Sequence, residues 1–300
     1  MNCKIALAAG LMTLGLTSFS ANAAHIGGFT LFDGQEFTFN PDGFETSIAS
    51  TFTASAIDFS YTADVDQTNT GAFSASFVET GVAFFSAFQH PLGTPVLGTA
   101  LNLGFGLGYK MYGVFTATGS VVPGPGFVGI DGTFDTFNLT IYIDRDENTT
   151  SVAAAPGDPN QTTAVGGTTT DDIAILSGVL TIGGFHVSGG LLGGDFDVLF
   201  RVTSYDPTVW GGAAFAGDLN NDGDFDDEGE WFTSGDLNGV NTGISGLVGG
   251  PFATKNDIII NGSGNIAFNN VPVPVPGVLG LLGAGLLGLG WVNGRARKNA

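Results

Sequence analysis

Phe137, Leu139, Ile141 and Ile143 alternate with Asn138, Thr140 and Tyr142, a period of two that puts the apolar set on one face of an extended strand. Phe196, Val198, Phe200 and Val202 repeat the pattern against Asp197, Leu199, Arg201 and Thr203. Runs of the same character cover 48–61, 73–88, 109–118, 173–182 and 257–268, rich in Thr, Ser, Val, Ile and Phe and separated by Gly, Asn and Asp. Between residues 24 and 270 no long apolar period of 3.6 occurs, so the expectation is an all-β ectodomain. The architecture expected is an antiparallel β-sandwich or a jelly-roll-like fold, with glycine turns at corners and edges. Residues 144–172 and 207–251 lack the alternation and are expected to be long solvated loops.

The two ends break this pattern. Met1-Asn2-Cys3-Lys4 gives a positive start, residues 5–16 an apolar core, and Ala21-Asn22-Ala23 a small-x-small site, which together predict a secretory signal peptide over 1–23. Cys3 is the only cysteine and would leave with it, so the exported chain is expected to carry no disulfide and no thiol nucleophile. At the other end Val271-Pro272-Val273-Pro274-Val275-Pro276 holds the backbone extended as a stiff spacer. Residues 278–292 then contain only apolar residues and glycine, with Trp291 near the far end, before the basic cluster Arg295, Arg297 and Lys298. As a helix that stretch rises only ~22 Å, short of a ~30 Å hydrocarbon core, and suits a transient anchor better than a permanent one.

A proline motif, a brief transmembrane helix and a terminal Arg/Lys cluster, in that order, resemble the PEP-CTERM sorting signal of Gram-negative bacteria that make extracellular polysaccharide. Val273 or Val275 stands here where that signal carries its Glu. The resemblance implies an exosortase-type processing enzyme as partner, transient anchoring in the inner membrane through the C-terminal helix, and delivery to the cell surface or extracellular matrix. Residues 108–119 with 137–144, and 194–200, are also similar to strands of floc-associated members of that group, which implies a role in cell aggregation and contact with extracellular polysaccharide. The expected organisation is therefore signal peptide 1–23, acidic β-rich ectodomain 24–270 and sorting tail 271–300.

Charge narrows the partners further. The ectodomain sets Lys110, Arg145, Arg201 and Lys255 against all 28 acids, four cations and a net of −24. Nucleic acid is excluded as a partner, because phosphate binding needs clustered cations. The same acidity favours a soluble surface protein or one that gathers divalent cations.

One segment has the spacing for such a cation. Asp218, Asn220, Asp222, Asp224 and Asp226 place oxygens at alternate positions around Gly223, as in a loop that wraps calcium. Gly229 occupies the twelfth position, between Glu228 and Glu230, where a bidentate Glu closes such loops. Calcium (Ca2+) is the expected cofactor, ordering the loop instead of signalling through it. A second acidic run, Asp144-Arg145-Asp146-Glu147-Asn148, has Thr149 where the glycine should be and reads as a turn after a strand. Gly124 to Gly129 matches a dinucleotide fingerprint by letters alone and reads as a turn too.

No catalytic constellation stands out: there is no Gly-x-Ser-x-Gly and no His-Glu-x-x-His, and His25, His90 and His186 are scattered. A non-enzymatic, exported matrix protein is the expectation. The alternative is a secreted, calcium-stabilised carbohydrate-binding module or glycoside hydrolase. In the binding form Trp210 and Trp231, which flank the acidic loop, would stack on sugar; packing roles for both are preferred.

Overall fold

The computed structural model describes residues 34–40, 51–90, 94–96, 109–155, 162–188, 193–227, 230, 232–246, 252 and 255–270. The signal peptide, the sorting residues Val271 to Pro276 with Arg295, Arg297 and Lys298, and the side chains Glu228 and Trp231 lie outside them. No helix among the described residues is long and apolar enough to cross a membrane.

The strands are β1 (Phe37–Phe39), β2 (Phe52–Ala54), β3 (Ala56–Gly71), β4 (Ser74–His90), β5 (Thr94–Pro95), β6 (Lys110–Pro123) and β7 (Ile130–Asp144). They continue as β8 (Thr150–Val152), β9 (Ala164–Gly166), β10 (Ile173–Val187), β11 (Gly194–Tyr205), β12 (Trp210–Gly212), β13 (Thr233–Ser245) and β14 (Lys255–Asn270). Nine of them form one antiparallel sheet in the order β3-β14-β13-β11-β10-β7-β6-β4-β5, in which the two-residue β5 only edges the end of β4 and β4 pairs again with β3 to close a barrel of eight. The sheet therefore closes on itself with sequential neighbours side by side, an up-and-down barrel in which first and last strands meet (Thr62↔Asn261).

This corrects the expected sandwich or jelly roll while keeping the antiparallel all-β class. Alternation shows that a strand has an inside and an outside; whether the inside faces a second sheet or the far wall of its own sheet is decided by curvature. Here register shifts in β3–β4, β6–β7, β10–β11 and β13–β14 supply local bends.

The interior of an eight-stranded barrel is just wide enough for side chains to fill it. This chain fills it with rings laid over glycines on the next strand. Phe115 faces Gly81, Phe77 faces Gly119, Phe185 faces Gly132, Phe196 faces Gly239, Phe200 faces Gly235, Tyr61 faces Gly262 and Phe59 faces Gly264. At each of these glycines an added Cβ would fall within 2.0 to 2.8 Å of a ring atom of its partner. At these pairs glycine and ring have a shared cause, since each ring uses space that a facing Cβ would occupy. What is left inside is a cavity of about 80 Å³, lined by six of these rings, by other apolar side chains such as Phe85, Leu139 and Ile266, and by Glu79 and Asn241.

The outer wall carries polar ladders beside the exposed Val78, Val122, Ile182 and Val240. Thr118 and Thr136, Ser120 and Thr133, and Thr62 and Asn261 bond side chain to side chain across neighbouring strands at 2.7, 3.2 and 2.8 Å.

The short β1, β2 and β12 form a separate antiparallel sheet against one end of the barrel. Phe37 and Phe39 meet Trp210 at ring distances of 5.6 and 5.0 Å, and Phe37 meets Phe268 of β14 at 5.5 Å. Because the strands alternate in direction, the long connections β7–β10 and β11–β13 emerge at this same end, while β3–β4, β6–β7 and β10–β11 turn more briefly at the other. The expected loop over 207–251 is in part strand, β12 and β13. Strand β13 escapes the alternation rule because its inward positions are Gly235, Leu237, Gly239 and Asn241, where the rings of β11 take the space an apolar side chain would fill.

Candidate cation-binding loops at the closed end

The predicted loop begins where β12 gives way to a short turn at Ala213–Phe215. Asp218 is buried, and its Oδ2 accepts hydrogen bonds from the Tyr205 hydroxyl at 2.8 Å and the Gly223 N–H at 2.9 Å. Burial, followed by the Asp218 carboxylate, pushes the Tyr205 hydroxyl well above its usual range, which keeps it a donor. The Asn220, Asp222 and Asp224 side chains each accept from the backbone N–H two residues on, at 3.0, 3.4 and 3.2 Å. These are successive Asx turns. Gly223 has φ +97° and its Cβ position would lie 2.3 Å from the Tyr205 carbonyl oxygen, so a glycine is required there.

Glu230 closes the loop, Oε1 accepting from the Leu219 N–H and Oε2 from the Asp227 N–H, both at 3.1 Å. It therefore stands in a bridging role one position beyond the twelfth, where Gly229 sits. Asp227, absent from the expected ligand set, accepts from the Asn220 Nδ2. A hydrogen bond with Asp224 and its charge raise the exposed Asp226 carboxyl. Among the described residues, no three carboxylates of Asp218, Asp222, Asp224, Asp226 and Glu230 bring an oxygen each within 4.8 Å of one another.

A set that meets this spacing lies on the neighbouring connection. Asp144 at the end of β7, and Asp171 and Asp172 just before β10, offer carboxylate oxygens that all lie within 4.8 Å of one another. The turn expected at the Asp144 run is present, with Glu147 at φ 58°. Asp171 and Asp172, which the alternation does not connect to this run, are carried back to it by the fold. The available signal was the Asp171-Asp172 doublet directly ahead of an alternating strand, which is informative only once β7 and β10 are known to pair (Ile143↔Ile173).

Other singled-out residues among those described have packing, pairing or turn roles. Trp210 is 1% exposed in the aromatic plug and offers no stacking face. His186 Nδ1 pairs with Asp131 Oδ1 at 2.6 Å across β10 and β7. Gly124 to Gly129 form the turn between β6 and β7, with a tight 3₁₀ segment at Pro125–Phe127. A shallow trough of about 620 Å³ crosses the outer wall, lined by Asp58, Asp195, Asn238 and Asn265 among others. No family model, curated protein or solved structure matches the chain.

Proposed function

We propose that this is an exported surface or extracellular-matrix protein, sorted through residues 271–300 and acting by adhesion within extracellular polysaccharide to promote cell aggregation. The observation that carries this reading is how the barrel uses its interior. The walls enclose their own rings and leave about 80 Å³, against the ~300 Å³ or more of a small-molecule site. The barrel is thus a scaffold whose acidic chemistry is displayed on the connections at one end. Calcium ordering the loop that holds Asp218, Asn220, Asp222, Asp224, Asp226, Glu228 and Glu230 would make that end rigid outside the cell and relax it when the ion is removed. The sugar-binding alternative loses Trp210 as a platform.

Cells producing the full chain are expected to aggregate in calcium and to disperse on chelation, with the protein in the matrix fraction. Cells producing a chain that ends at Asn270 should lose both aggregation and matrix retention. Aggregation that is indifferent to the tail and to calcium would overturn the reading.

A further inference from the structure

We propose that Asp144, Asp171 and Asp172 form a second calcium site, separate from the 218–230 loop, that fastens the β7–β10 connection to the barrel. Asp144 is 0% exposed, and its Oδ2 accepts the Thr149 N–H at 2.8 Å, while its Oδ1 is enclosed without a protein partner. Asp172 repeats the arrangement. Its Oδ2 accepts the Tyr112 hydroxyl at 2.6 Å and the Thr149 hydroxyl at 3.3 Å, and its Oδ1 is likewise enclosed without a partner. Each carboxylate thus has one oxygen engaged by a protein donor and one enclosed without a donor, and the Asp146 carboxyl lies against Asp144 as a further acidic oxygen, an arrangement that is unfavourable unless a cation is shared.

The placement is costly in a second way. Extending the Ile143↔Ile173 register by one residue sets Asp144 opposite Asp172, and like charges directly opposite across a ladder destabilise it. The nearby Lys110 ammonium donates to the backbone carbonyls of Glu147 and Thr149, the second at 3.3 Å. It helps to fix the turn and leaves the carboxylate oxygens to another cation. Oxygens bound to one calcium at ~2.4 Å lie no more than ~4.8 Å apart, a limit that one oxygen from each of these three carboxylates meets. With oxygen ligands only, and no His or Cys in the set, the site favours a hard cation over zinc or copper. Calcium's six to eight flexible ligands suit a pocket that supplies three carboxylates and leaves the remainder to water.

The ion would tie the end of β7 to the start of β10 and so hold the base of the β8–β9 hairpin (Thr150↔Gly166). This inference does not rest on the sorting tail or on the 218–230 loop. The test is calcium titration calorimetry with thermal unfolding on the full-length chain, comparing the parent with Asp171→Asn/Asp172→Asn and with Asp222→Ala. Asn at 172 still accepts from Tyr112, so fold and hydrogen bond are kept while charge is removed. The double variant is expected to bind one calcium fewer, to melt higher than the parent in chelator, and to lose part of the calcium-induced rise. Asp222→Ala should retain the ion assigned here, whether or not the parent also fills the 218–230 loop. Unchanged stoichiometry in the double variant would overturn the site. So would an equal loss of melting temperature with and without calcium, which marks a purely structural role.

Discussion

Glu79→Gln is expected to stabilise the protein by about 3 kcal/mol at pH 8 and to leave it nearly unchanged at pH 4. Glu79 points into the barrel between Val65 and Ala117, beside the interior cavity. Burial, with the Asp64 charge adding to it, pushes its carboxyl from 4.5 up to about 7. Below pH ~4.5 the group is protonated in both folded and unfolded chains and contributes no difference. As pH rises from there through 7 the unfolded chain releases the proton first, and the folded barrel must then hold a carboxylate among rings. Stability therefore falls across that window, by ~1.4 kcal/mol per pH unit of displacement. Burial raises Asp64 and Asp197 to about 7 as well, with Asp257 and Asp236 respectively adding to the effect, so the parent should lose stability on the alkaline side more steeply than Glu79 alone accounts for. Urea unfolding of parent and Glu79→Gln at pH 4, 6 and 8 checks this. A variant equally stable or less stable than the parent at pH 8 would mean that the carboxylate is compensated inside the barrel.

The second large effect concerns the ring-over-glycine packing. Phe200 is fully buried, and Cβ atoms placed on Gly235 and Gly178 would come within 2.0 and 2.4 Å of its ring. Phe200→Ala is expected to cost about 3–5 kcal/mol as a large-to-small core change. Gly235→Val should cost about 1–3 kcal/mol or more by overpacking. In the double variant the valine enters the space the ring has left, so the combined loss should be smaller than the sum by about 1–3 kcal/mol. Gly243 is the control, since a Cβ there meets nothing within 4 Å, and Gly243→Ala should be neutral to within about 0.5 kcal/mol. Additive losses in the cycle would show that ring and glycine do not share one volume.

The sequence carried the class of the fold in particular strands. Phe137 to Ile143 and Phe196 to Val202 alternate because only one of their faces looks inward, and they lie within β7 and β11. It did not carry the closure of the barrel, because the pairing of β3 with β14 joins residues far apart in the chain and leaves no local trace. Strand β13 was hidden for a related reason: when the bulk that fills an inward position comes from the strand opposite, glycine stands where a hydrophobe is expected. For the acidic sites the split is similar. The 218–230 loop was legible since its oxygens are contiguous, and Glu230 proves to be its closing bridge. The Asp144 cluster was not, because two of its three members are set beside the first by strand pairing alone.

The claim on which the functional account turns is that the barrel is exported and released from its tail. Intact-mass spectrometry of the protein from the native membrane and extracellular fractions tests it most directly. The expected extracellular chain begins after Ala23 and lacks everything beyond about Pro276; a membrane-bound chain still ending at Ala300, with none released, would rule out processing of the tail.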